Sequence, residues 1–221
     1  MGELRQFCVR ILGDGPAAAE AEHAARAASR EDRLARLSGA VRACREREPS
    51  TVGESGGDGL AAAVARELRG ATARLTAPQR EALALRDLLR LSYDEVAEVI
   101  GAQPAAVPEL LAGARIALRA ELRDAPRSRA PQCPERDRAL RTIALRQDAE
   151  AVGAADDDWL VEHLGHCREC GQAHAAMLEA GACYRAWRSA PDADGVDSVD
   201  GVPGVDGVPG VDGVDRADGD S

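Results

Sequence analysis

The chain has 221 residues, 45% hydrophobic but only 2% aromatic, and all 28 of its basic residues are Arg. That is enough chain for one ordinary domain or two small ones, with a core built from Ala, Leu, Val and Ile, a composition that favours helices. The formal net charge of −10 sits mostly in the last stretch, where nine Asp stand against one Arg from Ser189 onward, and the nearly neutral body excludes a strongly basic, autonomous nucleic-acid binder.

Residues 1–48 are rich in Ala, Arg and Glu, with Leu4, Phe7, Ile11 and Leu12 and then Leu34, Leu37, Val41 and Cys44 at helical spacing. The pattern predicts two or three helices broken at Gly13-Asp14-Gly15-Pro16. A Gly/Ser-rich linker follows at 49–59. Residues 60–123 carry the clearest helical signals. Thr76 is an N-cap ahead of Pro78 and Glu81, and Leu83, Leu85, Leu88, Leu89 and Leu91 supply apolar positions. Ser92 with Glu95 forms a capping box, the helix from Tyr93 to Ile100 ends at Gly101, and a last helix runs from about Ala105 to Leu122. Two short helices joined by a Gly-containing turn make a helix-turn-helix, with the second helix expected as an exposed rod. A second linker covers 124–134, residues 135–188 are helical again, and the tail 189–221 contains the hexad Val-Asp-Gly-Val-Pro-Gly, complete at 199–204 and 205–210 and partial at 211–215, and cannot bury enough to order itself. The expected fold is all-α: small helical domains joined by flexible linkers, with a disordered acidic tail.

The C-terminal helical segment contains VEHLGHCREC. His163 and Cys167, four residues apart, share a helix face, and the two-residue gap to Cys170 lets that thiol turn back, which is ligand spacing for a tetrahedral zinc. Cys133, upstream beside Pro134, is the natural fourth ligand. His166 ranks second to His163, and buried free cysteines or a metal-free dithiol are the alternatives. Cys8, Cys44 and Cys183 read as core residues, and His23 and His174 as solvent-facing. Trp159 and Trp187 read as core anchors, and Asp156, Asp157 and Asp158 as first-turn acids at a helix N-terminus. No Walker loop, no Gly-x-Ser-x-Gly elbow and no His-Glu-x-x-His motif is present, so the chain is not expected to be an enzyme. It has no apolar run of about 18 residues and no signal-peptide stretch at MGELRQFCVRILGDG, which points to a cytoplasmic location without a membrane partner.

The string LTAPQREALALRDLLRLSYDEVAEVIGAQPAAVPELLAGARIALR at 75–119 resembles region 4 of bacterial RNA polymerase sigma factors, especially the small extracytoplasmic-function group. The resemblance rests on Leu75-Thr76, Arg80, Leu85-Arg86-Asp87, Leu91 to Ala97, Gly101, Val107, Ala114-Arg115 and Leu118-Arg119. It implies partnership with core RNA polymerase and with the −35 element of promoter DNA, read by the second helix through Gln103, Ala105, Ala106, Glu109, Arg115 and Arg119. Two cations that the family usually places along that helix are here Pro108 and Leu110, and a third is Gly113. FCVRILGDGPAAAEAEHAARAASR is similar to the middle of sigma region 2, with Phe7 as its one aromatic. The segment around Cys133, His163, Cys167 and Cys170 resembles the zinc-binding anti-sigma domain, also seen as a C-terminal extension of some sigma factors, where some members release sigma domains when thiols oxidise. Together these imply a sigma-factor-like transcription regulator gated in cis by a zinc-binding bundle. The alternative is an adaptor or anti-sigma-like regulator that no longer reads DNA and takes sigma or anti-sigma proteins as partners.

Overall fold

The computed structural model describes residues 2–13, 15–28, 32–47, 49, 60–123 and 133–187. The expected tail at 189–221 and nearly all of the expected linkers at 49–59 and 124–134 lie outside the described residues. The described residues are helical, with no strand among them: α1 (Glu3–Leu12), α2 (Pro16–Ala28), α3 (Arg33–Arg45), α4 (Leu60–Ala73), α5 (Ala77–Leu83), α6 (Tyr93–Ile100), α7 (Val107–Leu122), α8 (Arg136–Gln147), α9 (Ala154–His166) and α10 (Arg168–Ala186). The expected all-α class is what the chain adopts. No helix among the described residues is long and apolar enough to cross a membrane.

Local chemistry sets the boundaries. Asp32 accepts the Leu34 N–H at 2.9 Å at the start of α3. The box at α6 is closed both ways: the Glu95 N–H reaches Ser92 Oγ at 3.3 Å and the Ser92 N–H reaches Glu95 Oε2 at 2.8 Å. Gly101 ends that helix in the left-handed region at φ 73°, a conformation that costs glycine nothing. Thr76 opens α5, its N–H held by Gln79 Oε1 at 3.1 Å. Sequence patterning does not reveal two details of the turn that follows. Helix α5 continues into a π-turn at Ala84–Leu88, and Arg90 then takes a positive φ of 61°, an uncommon conformation for a residue with a Cβ.

Packing follows from the apolar stripes. Phe7, Leu12, Leu37, Leu83, Leu85, Leu91, Leu111 and Leu118 are fully buried in one core that also takes Ala180 and Tyr184 from α10 and Trp187 from its C-cap. A second core gathers Ala139, Ile143, Leu160, Cys170 and Met177 around Ala112 of α7. Helix α7 therefore belongs to both, and Met1–Ala190 forms one compact unit. This corrects the expectation of an exposed rod: with apolar residues on two faces, α7 buries one against α5 and the other against α8 and α10. The N-terminal helices join the same unit through the Arg45–Glu81 pair, 2.8 and 2.6 Å, in which the Glu81 carboxylate is buried.

Candidate functional site

The candidate metal centre is built at the junction of three segments. The turn before α8 supplies Cys133, the last turns of α9 supply His163, and the α9–α10 junction supplies Cys167 and Cys170. Their ligand atoms all lie within 4.8 Å of one another, and Cys133 Sγ is 3.6 Å from His163 Nε2. Tetrahedral zinc bonds of about 2.3 Å to sulfur and about 2.0 Å to nitrogen put ligand atoms roughly 3.5–3.8 Å apart. The donor set, its number and its spread fit one such ion. The four residues singled out by spacing are thus the four brought together. His166 is exposed and bonds instead with Glu162 O at 2.9 Å.

The sulfur chemistry shows what a cation would relieve. The backbone N–H of Cys170 at the start of α10, opposed by some burial and aided by the Cys170 and Cys133 thiols, holds the Cys167 thiol below its ordinary range. Burial and the neighbouring thiols push Cys170 up to about 12. Sulfurs gathered this closely cannot all ionise without a cation, and a divalent metal reverses that balance.

Two further side chains, Glu169, not singled out in the sequence, and Trp159, read there as a core anchor, hold the candidate ligands in place. Glu169 accepts the Cys133 N–H at 3.0 Å and an Arg136 N–H at 3.2 Å, fastening the Cys133 turn to the start of α10. Trp159 stacks on His163 with centroids 4.8 Å apart and planes at 20°, and Arg138 lies 4.0 Å from the Trp159 ring centroid. The one available signal was position, since Glu169 stands between the two cysteines of the motif and Trp159 is one turn before His163. Trp159 is half-buried against the second core and also supports His163, and Trp187 is the buried anchor expected. Cys8 and Cys44 are buried as expected, and Cys183 is half-buried against the main core. His23 is exposed, but His174 is half-buried and held below its ordinary range by desolvation and by Arg146, against the expectation that it faces solvent.

The candidate nucleic-acid face lies on the 3₁₀ turn Pro104–Ala106 and on α7. Gln103, Ala105, Ala106 and Glu109 are exposed there, and Glu109 pairs with Arg141 of α8. Arg119 is half-buried and pairs with Glu179 of α10, which also binds Arg123 at 2.7 Å. Arg115 does not suit the role of a groove contact in this arrangement. It is 0% exposed, donating to Asp87 at 2.8 and 3.2 Å and to Asp148 at 2.7 Å. Burial pulls the Arg115 guanidinium down, but the two carboxylates more than offset it and the net shift is upward. Asp148 also accepts the Tyr93 hydroxyl at 2.7 Å, so one side chain at the end of α8 ties the C-terminal helices to both α6 and α7. Pro108 is buried and Leu110 packs against the main core, so two positions where a cation was expected have become packing positions.

Residues 65–118 match the family model described as Sigma-70, region 4. The match begins inside α4, spans all of α5 and α6, and ends inside α7. No curated protein and no solved structure matches the chain.

Proposed function

We propose that the chain is a sigma-factor-like regulator of transcription that engages core RNA polymerase and promoter DNA through α6 and α7, and that its C-terminal helices gate that engagement. The match of residues 65–118 supports the first part. One observation carries the second: Arg119 in the last turn of α7 and Arg123 at its C-cap are both held by one carboxylate, Glu179 of α10. Phosphate is the natural partner of such arginines, so α10 and DNA compete for the same side chains. Arg141 and Asp148 add two more grips on the same two helices.

A zinc ion on Cys133, His163, Cys167 and Cys170 is proposed as the brace of this cover. Bound there, it supplies a structural cross-link between three segments that also meet in the second core and through Glu169. The chain's own residues do the rest: Glu169 fixes the Cys133 turn, Trp159 orients His163, and α10 carries the brace toward Glu179.

The experiment is capture of the full chain on core polymerase, followed by promoter-dependent transcription. Binding to core and a promoter-specific transcript from an opened variant support the reading; no binding to core in either the native or the opened form removes it. Burial of Arg115 and the replacement of cations at Pro108 and Leu110 favour a second reading, an adaptor that binds sigma or anti-sigma proteins and no DNA. That reading predicts no DNA affinity at low salt even when Glu179 is replaced.

A further inference from the structure

Arg10 lies on α1, yet its contacts are at the other end of the chain. It is 4% exposed, and its guanidinium lies 4.8 Å from the ring centroid of Tyr184 and 4.0 Å from that of Trp187. Its Nη1 donates to Tyr184 O at 3.0 Å and its Nη2 to Trp187 O at 2.6 Å, across 174 and 177 residues of sequence. The two rings meet edge to face, centroids 5.8 Å apart at 82°, and both are buried. Among the described residues no carboxylate pairs with Arg10, and burial lowers its affinity for the proton. The compensation comes from π faces and from carbonyls at the end of α10, where the helix dipole is negative.

This is a receptor for one chemical group. A flat cation with two N–H donors in a fixed fork can stack on aromatic rings and still reach two carbonyls; a round, strongly hydrated ammonium cannot do both. Simple filling of an apolar site would not need the fork, and a surface salt bridge would not need the aromatics.

We propose that the C-terminal end of α10 is a guanidinium-binding cage, filled in cis by Arg10, that clasps the N-terminal helices to the C-terminal bundle. Helix α10 is then fastened at both ends: Cys167 and Cys170 flank its first turn, and Arg10 holds its last. Lifting α10 from α7 empties the cage, and it uncovers α1 in the same motion. A competing guanidinium presented by another molecule would open the clasp from outside. None of this depends on the chain binding DNA.

Hydrogen exchange on the full, metal-loaded chain tests it, comparing the native protein with Arg10→Lys, Arg10→Met and Arg10→Ala. The clasp predicts that Met and Lys, which fill the space, still lose about tenfold or more in protection at Gly181–Trp187 and at Glu3–Leu12, while Tyr93–Ile100 and metal content stay as they are. It also predicts that millimolar ethylguanidinium restores protection to the Ala variant and that ethylammonium does not. Native-like protection in Arg10→Met would overturn the proposal and leave plain packing. So would equal rescue by the two cations. If the Ala variant does not fold, the Met and Lys variants decide.

Discussion

At the residue scale the most consequential charges are internal. Arg115 is enclosed with Asp87 and Asp148, and Arg185 reaches Asp87 from the outside at 3.2 Å. A buried pair adds little over a well-packed apolar substitute, but removing one partner strands the others. Replacing Arg115 by Met leaves Asp87 to Arg185 and Asp148 to Arg86, both less buried partners, and a loss of about 3 kcal/mol is expected in denaturant unfolding; a loss below about 1 kcal/mol would show that those two arginines suffice to hold the carboxylates. The exposed clamp at Glu179 behaves differently. Hydrogen bonds from Arg123 and Arg119, with their charges, hold its carboxyl below the ordinary carboxylate range. A group whose folded value is depressed contributes fully above its unfolded value and fades as pH falls through the folded one. Closure of α10 on α7 should therefore be steady near neutrality and weaken in acid, below the usual carboxylate range, in the native chain but not in Glu179→Gln. Crosslinking between α7 and α10 as a function of pH reads this directly.

At the element scale the sequence was most informative where the signal is local. Ser92, Glu95 and Gly101 bound α6 as their chemistry requires, and the four candidate ligand positions were legible from the His163, Cys167, Cys170 spacing plus one upstream cysteine, although the helix expected to carry them breaks at Cys167. The π-turn after α5 was not legible, because the leucine run there fits an ordinary helix equally well. Two glycines give opposite expectations. Gly101 sits at φ 73°, so Gly101→Ala should cost about 1 kcal/mol. Gly113 lies inside α7, where an added Cβ would meet only Gln79 Nε2 at 3.8 Å, an ordinary contact. Gly113→Ala should raise stability by about 0.5–1 kcal/mol in the same unfolding assay. The opposite sign at Gly113 would mean that α7 is less regular in solution than the structure has it.

At the scale of the whole molecule, contacts between distant segments decide how the chain works, and no local pattern announces them. Arg115 reads in sequence as a groove contact because the resemblance puts it on the recognition helix; Asp87 in the turn after α5 and Asp148 at the end of α8 together make it an interior residue. The same holds for Arg10, whose partners lie 174 and 177 residues away. Metal extraction is the global test of the brace. Chelation, or Cys167→Ser, should expose the α9 and α10 amides to exchange while Tyr93–Ile100 stays protected, since structural zinc contributes folding free energy where it binds. Unchanged protection of α10 after complete metal removal would show that packing alone holds the cover.

With α7 proposed as a DNA-reading helix kept covered by α8 and α10, one titration tests that cover directly. Fluorescence anisotropy of a labelled promoter duplex at low salt should show weak binding by the metal-loaded native chain and binding tighter by about tenfold or more for the metal-loaded double variant Asp148→Asn, Glu179→Ala, a difference of roughly 1.4 kcal/mol. Equal affinity for the two proteins, strong or absent, would contradict it.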